Sequence, residues 1–154
     1  MSVSDKVAET VCHCAALRQA ARRVTHVYDR ALAPTGLRIT QYPILALLAS
    51  GPSPMNALAA RLVLDRATLG HNLRPLAAQG LVTIAAGADK RSRVVTLTEA
   101  GQTKLRDARP GWRAAQAVFE DVFGAADAAA LRANLARLAR LDFGPTDFGP
   151  TDGA

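Results

Sequence analysis

The feature that most restricts the fold is a change of hydrophobic period at Gly80, from the helical period before it to the period of strands after it. Apolar residues recur every three or four positions on both sides of residues 63–64, which predicts two short helices, Met55–Leu62 and 65–79. Residues 63–64 fit a tight turn, Asp65 fits the N-cap of the second helix, and Gly80 fits its C-terminal stop. Two short helices joined in this way outline a helix-turn-helix.

After Gly80 the sequence pattern becomes that of strands. Residues 81–85 and 94–97 are short β-type runs, and the segment between them carries Lys90 and Arg91 near its tip. A hairpin with a basic tip that directly follows a helix-turn-helix is typical of a wing. We therefore expect a winged helix-turn-helix DNA-binding region over residues 37–98.

Helical patterns flank this region on both sides. Residues 5–32 carry one apolar stripe, and the breakers at 33–36 end it. A second helix is expected from Thr40, as its N-cap, to about residue 49, with a loop over 50–54. The members of the stripe are Val7, Val11, Cys14, Leu17, Ala21, Val24, Tyr28 and Leu32.

The C-terminal part also predicts helices. Thr98 fits the cap of a helix that Pro110 and Gly111 kink or interrupt after about residue 108. Gly124 separates it from a last helix, 126–141. The expected fold class is mainly α, with long helices in residues 1–36 and 99–141 on either side of the winged region. The expected core positions of the last helix are Leu131, Leu135 and Leu138.

The tail, residues 142–154, contains the sequence FGPTD twice in succession. Paired glycines and prolines exclude a helix or a central strand there. A mobile tail is the expectation, and a docking motif is the alternative.

Composition excludes several classes of protein. The 154 residues are 49% hydrophobic and 21% charged, as in one folded domain. The longest apolar run, 42–49, is far short of the roughly 20 residues of a membrane-spanning helix. Neither a secretory signal nor a disulfide scaffold is apparent. We therefore expect a cytoplasmic protein, with no cofactor, no metal and, because no nucleophile–base arrangement stands out, no enzymatic activity.

The charge of the chain favours nucleic acid as a partner. The net charge is +6, and 16 of the 19 basic residues are Arg, whose planar guanidinium suits phosphates and base edges. Residues 54–98 alone carry a net charge of +4. An Arg-rich composition can also reflect the base composition of a genome, so charge alone does not decide between these explanations.

The order of elements resembles that of the MarR family of winged-helix repressors. The strings LRITQY at 37–42, LDRATL at 64–69 and DKRSR at 89–93, followed by VTLT at 95–98, are similar to that family as well. The resemblance covers residues 5–141. It implies an obligate homodimer with interleaved first and last helices, so that the helices of residues 1–36 and 99–141 form a dimerisation domain. It also implies a palindromic operator and release by a small molecule or an oxidant.

Within the second helix of the helix-turn-helix, three leucines share one face and should pack inward, which leaves the polar residues toward DNA. Thr68 and His71 are the candidates for base edges, and Arg66 and Arg74 for the DNA backbone. Ala67 suits a thymine methyl group, whereas Gly70 gives up one contact. The inward leucines are Leu69, Leu73 and Leu76.

The expected wing supplies two further DNA contacts. Arg91 and Arg93 are candidates for the minor groove and phosphates, and Asp89 for holding an arginine in position. The alternative for every arginine is an ordinary solvated side chain.

The two cysteines raise the question of a redox or metal site. Two residues apart on a helix, Cys12 and Cys14 would point about 200° away from each other, which argues against a shared metal ion or an internal disulfide. A bridge between subunits stays open. Cys14 and Tyr28 resemble the sensing cysteine and a tyrosine of the organic-peroxide-sensing branch of the family, although Arg18 replaces a second tyrosine. The alternative for Cys14 is inert core packing.

Three functions therefore remain to be distinguished. The first is a repressor released by a ligand, whose pocket uses Tyr28, Tyr42 and Trp112, although core packing also explains each of these aromatic residues. The second is a thiol-switched repressor that uses Cys14. The third is a winged-helix module that binds DNA without sequence preference or mediates protein association.

Overall fold

The computed structural model describes residues 12–89 and 92–144, which contain six α-helices and three short strands. The mainly α fold with a winged helix-turn-helix confirms the expected class. The helices are α1 (His13–Leu32), α2 (Tyr42–Leu48), α3 (Met55–Leu62), α4 (Arg66–Ala78), α5 (Glu99–Phe123) and α6 (Ala125–Leu138). The strands are β1 (Ser53–Pro54), β2 (Val82–Ala86) and β3 (Arg93–Leu97). Within the described residues, no helix combines the length and the apolar character that crossing a membrane requires.

The wing is a three-stranded antiparallel sheet in the order β1-β3-β2. Strands β2 and β3 pair in register from Val82 opposite Leu97 to Ala86 opposite Arg93. The expected loop over 50–54 was wrong at its end, because Ser53 and Pro54 pair with β3. Proline lacks an N–H donor and is tolerated on such an edge strand.

The core of the winged region lies between α2, α3, α4 and the sheet. Leu58 of α3 and the three leucines on the inward face of α4 meet Ile44 and Leu45 of α2 and Val95 of β3, and all of these side chains are fully buried. Leu105 and Ala108 extend the same core onto α5. Burying a leucine side chain contributes about 1.5–3 kcal/mol, so this cluster is the main source of stability in the region.

Helix α1 begins at His13, so the helix expected over residues 5–32 is not continuous through Cys12. Cys12 has an extended backbone and is the N-cap, and its Sγ accepts a hydrogen bond from the N–H of Ala15 at 3.5 Å. Residues 5–11 lie outside the described part. Of the described members of the apolar stripe, only Tyr28 and Leu32 at its C-terminal end are buried, because α5 covers α1 there.

Helix α2 begins after Gln41, so Thr40 is not its N-cap. The carbonyl oxygen of Arg38 accepts hydrogen bonds from the N–H groups of Gln41 and Tyr42 at 2.9 and 3.1 Å. These bonds form a separate turn over residues 38–41. The helix starts where that turn ends, with Pro43 in its first turn.

Helix α5 runs without interruption through Pro110, so the expected interruption was wrong. The next residue, Gly111, lies where α5 crosses α1. A Cβ atom at Gly111 would lie 2.4 Å from the carbonyl oxygen of Ala31. The helix thus continues through Pro110 at the point where its backbone packs closely against that of α1.

The expected core positions of α6 were wrong for the single chain. Leu131 and Leu135 are 36% and 41% exposed, and of α6 only Ala128 is buried. The reason is that α6 packs mainly on α5, which covers one narrow side of it. Helix α6 also ends at Leu138 and not at residue 141. Of the tail, residues 142–144 are described, which include the first two residues of the repeat, and residues 145–154 lie outside the described part.

Candidate nucleic-acid interface

The N-terminus of α4 is fixed by Asp65, as expected. Its carboxylate accepts a hydrogen bond from the N–H of Thr68 at 2.7 Å and another from the Thr68 hydroxyl at 2.8 Å. These bonds, the backbone one first, hold the pKa of Asp65 below its usual value. Because the Thr68 hydroxyl donates to Asp65, it is left to accept a hydrogen bond from a base, as from the amino group of adenine or cytosine.

The inward face of α4 is confirmed. Leu69, Leu73 and Leu76 are fully buried. The opposite face carries the side chains that were expected to meet DNA, and each of them is exposed. They are Arg66, Ala67, Thr68, His71 and Arg74.

The turn between α3 and α4 uses the left-handed backbone region. Val63 has φ 53° and ψ 45°, a conformation that glycine usually supplies. The N–H of Leu64 reaches back to the carbonyl oxygen of Ala59 at 2.9 Å. These two features fix the angle between α3 and α4.

The wing is closed by hydrogen bonds near its tip. The N–H of Gly87 donates to the carbonyl oxygen of Ser92 at 2.9 Å, and the N–H of Ser92 donates to that of Asp89 at 2.8 Å. Arg93 is exposed at the start of β3. Arg91 lies outside the described residues, so its DNA contact stays a prediction.

The base of the wing is joined to α5. The Thr98 hydroxyl accepts from the N–H of Gly101 at 3.0 Å, which confirms the expected cap, and it donates to the carbonyl oxygen of Gly80 at 2.6 Å. The N–H of Thr98 donates to the carbonyl oxygen of Leu81 at 3.1 Å. A Cβ atom at Gly101 would lie only 2.1 Å from that Leu81 oxygen. The end of α4, the wing and the first turn of α5 are therefore packed as one joint.

Two of the three expected pocket aromatics lie together. The rings of Tyr42 and Trp112 are stacked, with centroids 5.6 Å apart and planes 9° apart. They line a cleft of about 380 Å³ between α2, α3 and α5, which we call the aromatic cleft. Its other lining residues are Pro43, Ala46, Leu47, Arg61 and Leu62. The sequence pattern did not assign Arg61 to a pocket, because only the fold brings α3 next to Trp112.

Tyr28 does not line the aromatic cleft. It lines a separate cavity of about 180 Å³ between α1, α5 and α6, where its hydroxyl donates a hydrogen bond to Oε1 of Gln116. Burial raises the pKa of Tyr28 above its usual value, and the Glu120 carboxylate raises it further. The three expected aromatic residues are thus divided between two cavities.

Both cysteines are exposed, which corrects the interpretation of Cys14 as core packing. Cys14 lines an apolar cleft of about 760 Å³ that includes Leu17, Leu138 and Phe143. Because Cys12 precedes the helix, the argument from opposite directions on one helix does not apply to this pair. Throughout the described residues, no three His, Cys, Asp or Glu side chains are grouped so that they could hold a metal ion.

Comparisons with known proteins agree with this geometry. A sequence profile of the MarR family matches residues 35–92. The M. tuberculosis transcriptional regulator MosR, solved in complex with DNA, is 41% identical with a TM-score of 0.76, over 83% of this chain and 93% of that chain. A search of curated protein sequences gave no significant match.

A second regulator, CouR, is more distant. The repressor bound to a 23-mer DNA duplex is 26% identical with a TM-score of 0.74, over 84% of this chain and 93% of that one. CouR from Rhodococcus jostii RHA1, bound to p-coumaroyl-CoA, is 25% identical with a TM-score of 0.71, over 83% and 91%. The winged helix-turn-helix, the family profile and the identity to MosR lead to one assignment: the chain belongs to the MarR family of transcriptional regulators.

Proposed function

We propose that two copies of this chain form a homodimer that binds a palindromic operator and represses transcription, without catalytic activity. The observation that carries the proposal is the outer face of α4, which exposes polar and basic side chains above three fully buried leucines. MosR and CouR, which share this fold, have been solved with DNA.

Each side chain has a proposed role on DNA. Thr68 and His71 contact base edges in the major groove, and Arg66 and Arg74 contact the backbone. Arg93 and Arg91 of the wing contact the minor groove and phosphates. Thr68 accepts rather than donates, because its proton is directed at Asp65.

The proposed dimer is supported by apolar side chains that no part of the described chain covers. They lie on α1, α5 and α6, the helices expected to form the dimerisation domain. A second copy that presents the same surface would remove them from water. The exposed members are Leu17, Val118, Val122, Phe123, Leu131 and Leu135.

Fluorescence anisotropy on the chain's own upstream DNA, with excess random duplex at near-physiological salt, tests the DNA-binding function. We expect specific binding by the wild type and a loss of roughly tenfold or more in His71→Ala, because one base contact contributes about 1–3 kcal/mol. Arg113→Gln is the control, since Arg113 is exposed on α5. Equal displacement by any duplex would reject the operator and favour the module without sequence preference.

We propose further that a small ligand binds in the aromatic cleft and releases the operator. The stacked rings offer a flat apolar surface, and Arg61 offers a positive charge, a combination that suits a planar aromatic anion. CouR has been solved with p-coumaroyl-CoA.

The single tryptophan of the chain, Trp112, reports on this cleft directly. We expect p-coumarate or p-coumaroyl-CoA to change its fluorescence and to lower operator affinity over the same concentration range. Arg61→Gln should weaken both effects about tenfold, and Arg113→Gln should change neither. Fluorescence that is indifferent to both probes would reject this class of ligand.

A thiol switch is the second candidate, because Cys14 is outside the core of one chain and shares a cleft with Leu17, on the surface proposed to meet the second copy. A peroxide would oxidise the Cys14 thiolate to a sulfenic acid, which a second thiol converts to a disulfide with loss of water. The second thiol is Cys12 of the same chain or a cysteine of the second copy. Cys14→Ser should then stay on DNA under organic peroxide, with Cys12→Ser and non-reducing electrophoresis identifying the partner thiol. Equal release of the Cys14→Ser variant and the wild type would reject the switch.

A further inference from the structure

We propose that the turn before α2 provides a second DNA-backbone contact, through Arg38 and Thr40, on the side of α4 that carries no arginine. This inference rests on the proposed binding of α4 to DNA. It assigns a role to a segment that the helix-turn-helix pattern leaves outside the interface.

The turn and α4 together line a polar cleft of about 620 Å³, which we call the turn cleft. Its positive charge comes from Arg38, and His71 and Asn72 face it from α4. None of the described residues that line it is a carboxylate, so it is suited to an anion and not to a cation. The lining residues are Gly36, Arg38, Thr40, Gln41, His71, Asn72, Pro75 and Gln79.

The two sides of α4 differ in charge. Arg66, Gly70 and Arg74 follow one another at intervals of four residues and form one side. Thr68, Asn72, Pro75 and Gln79 follow at intervals of four, three and four and form the other side, and the last three of them line the turn cleft. A helix in the major groove has a phosphate strand on each side of it. The second strand would therefore meet a side of α4 without arginine or lysine.

Arg38 and Thr40 fill this gap because the fold brings their turn beside the uncharged side of α4. Both residues are exposed. The guanidinium of Arg38 can make charge-assisted hydrogen bonds with a phosphate, and the hydroxyl of Thr40 can donate a neutral one.

The backbone of the turn is held in place without DNA. The N–H of Arg38 donates to Oε1 of Gln41 at 3.0 Å, and Gln41 is only 7% exposed. The N–H of Ile39 donates to Oδ1 of Asp29 at 2.7 Å, which ties the turn to α1. Ordering the turn therefore adds little to the cost of binding, and only the two side chains have to be fixed.

The salt dependence of operator binding tests the proposal. The log of the association constant falls with the log of the salt concentration by about 0.9 per phosphate contact, so Arg38→Gln should reduce the magnitude of this slope by about 1.8 in a dimer. We expect affinity at physiological salt to fall about tenfold. Arg38→Lys should restore the slope because it restores the charge, and Arg113→Gln should leave it unchanged.

Thr40→Glu is the second variant, since it places a negative charge in the turn cleft at an exposed position. It should weaken binding by more than tenfold at low salt, and thermal melts by circular dichroism check that both variants fold. A slope that is unchanged in Arg38→Gln, with specific binding by the wild type, would overturn this inference and leave the proposed function intact. Absence of specific binding by the wild type would instead overturn the proposed function.

Discussion

The winged region and the long helices bury their apolar residues to very different extents. In the winged region, Leu58, Leu69, Leu73 and Leu76 are completely buried within one chain. On the long helices, Val122 is 82% exposed, and other large apolar side chains are also open to solvent. One chain is therefore sufficient to bury the core of the winged region. The long helices, in contrast, have apolar side chains that no described part of the chain covers.

The difference follows from the geometry of the elements. Three short helices and a sheet surround a common centre, so each amphipathic face meets another. Helices α1, α5 and α6 lie side by side, and each can cover only one face of its neighbour. The predictions below test whether the two regions depend on one chain or on two.

The largest expected effect is in the winged region. Leu73→Ala should lower the free energy of unfolding by about 3 kcal/mol at every protein concentration, because it removes fully buried atoms and leaves a cavity. Leu141→Ala removes the same atoms where the side chain is 53% exposed and should cost much less. Urea unfolding measures both, and similar losses would contradict the comparison.

The contact between α1 and α5 should be the next most sensitive. Gly111→Ala should lower the free energy of unfolding by about 1–3 kcal/mol, because the new methyl group meets the backbone of Ala31. Gly70→Ala is the matched control: nothing lies within 4 Å of its Cβ position, so it should stabilise α4 by up to about 1 kcal/mol. Opposite signs in urea unfolding are the expected result, and a stabilised Gly111→Ala variant would contradict the packing.

A charge on α6 should affect association rather than folding of the winged region. Leu135→Asp should raise the dissociation constant of the proposed dimer by at least about tenfold, because it places a carboxylate in an apolar surface. Asn134→Asp adds the same charge one residue away and should have a smaller effect. Sedimentation at several concentrations measures both variants, and equal dissociation constants would remove α6 from the interface.

The smallest expected effect is at Tyr28. Tyr28→Phe should cost about 1 kcal/mol at neutral pH, because Gln116 loses its hydrogen-bond donor. Since the pKa of Tyr28 is raised in the folded chain, the folded state holds the phenol proton more tightly than the unfolded state. The advantage of the wild type is therefore complete below about pH 10 and is lost as the pH rises through the raised pKa. Urea unfolding at neutral and alkaline pH measures it, and a difference that grows above pH 10 would contradict the assignment.

The sequence predicted those parts of the fold that depend on neighbouring residues. The caps at Asp65 and Thr98 and the inward leucines of α4 were correct, because a cap or a helical face is formed within a few residues. The start of α2 was missed, because the competing turn at Arg38 depends on the side chain of Gln41.

Features that depend on distant parts of the chain were missed or misjudged. The pairing of Ser53 with Val95 joins residues far apart in sequence, and the helix through Pro110 persists beside the close contact of Gly111 with α1. For the same reason, Arg61 and Arg38 gained their proposed roles only when the fold placed them beside Trp112 and α4. The DNA contacts of the exposed residues on α4 stay predictions.

Because Thr98, Gly101 and Leu81 join the first turn of α5 to the base of the wing, α5 connects the aromatic cleft with the DNA-binding region. Gly101 and Trp112 are 11 residues apart on one unbroken helix, or about 16 Å at 1.5 Å per residue. No flexible linker lies between the aromatic cleft and the wing that could absorb a displacement. We therefore expect a tilt of α5 at Trp112 to displace the base of the wing and the end of α4 together.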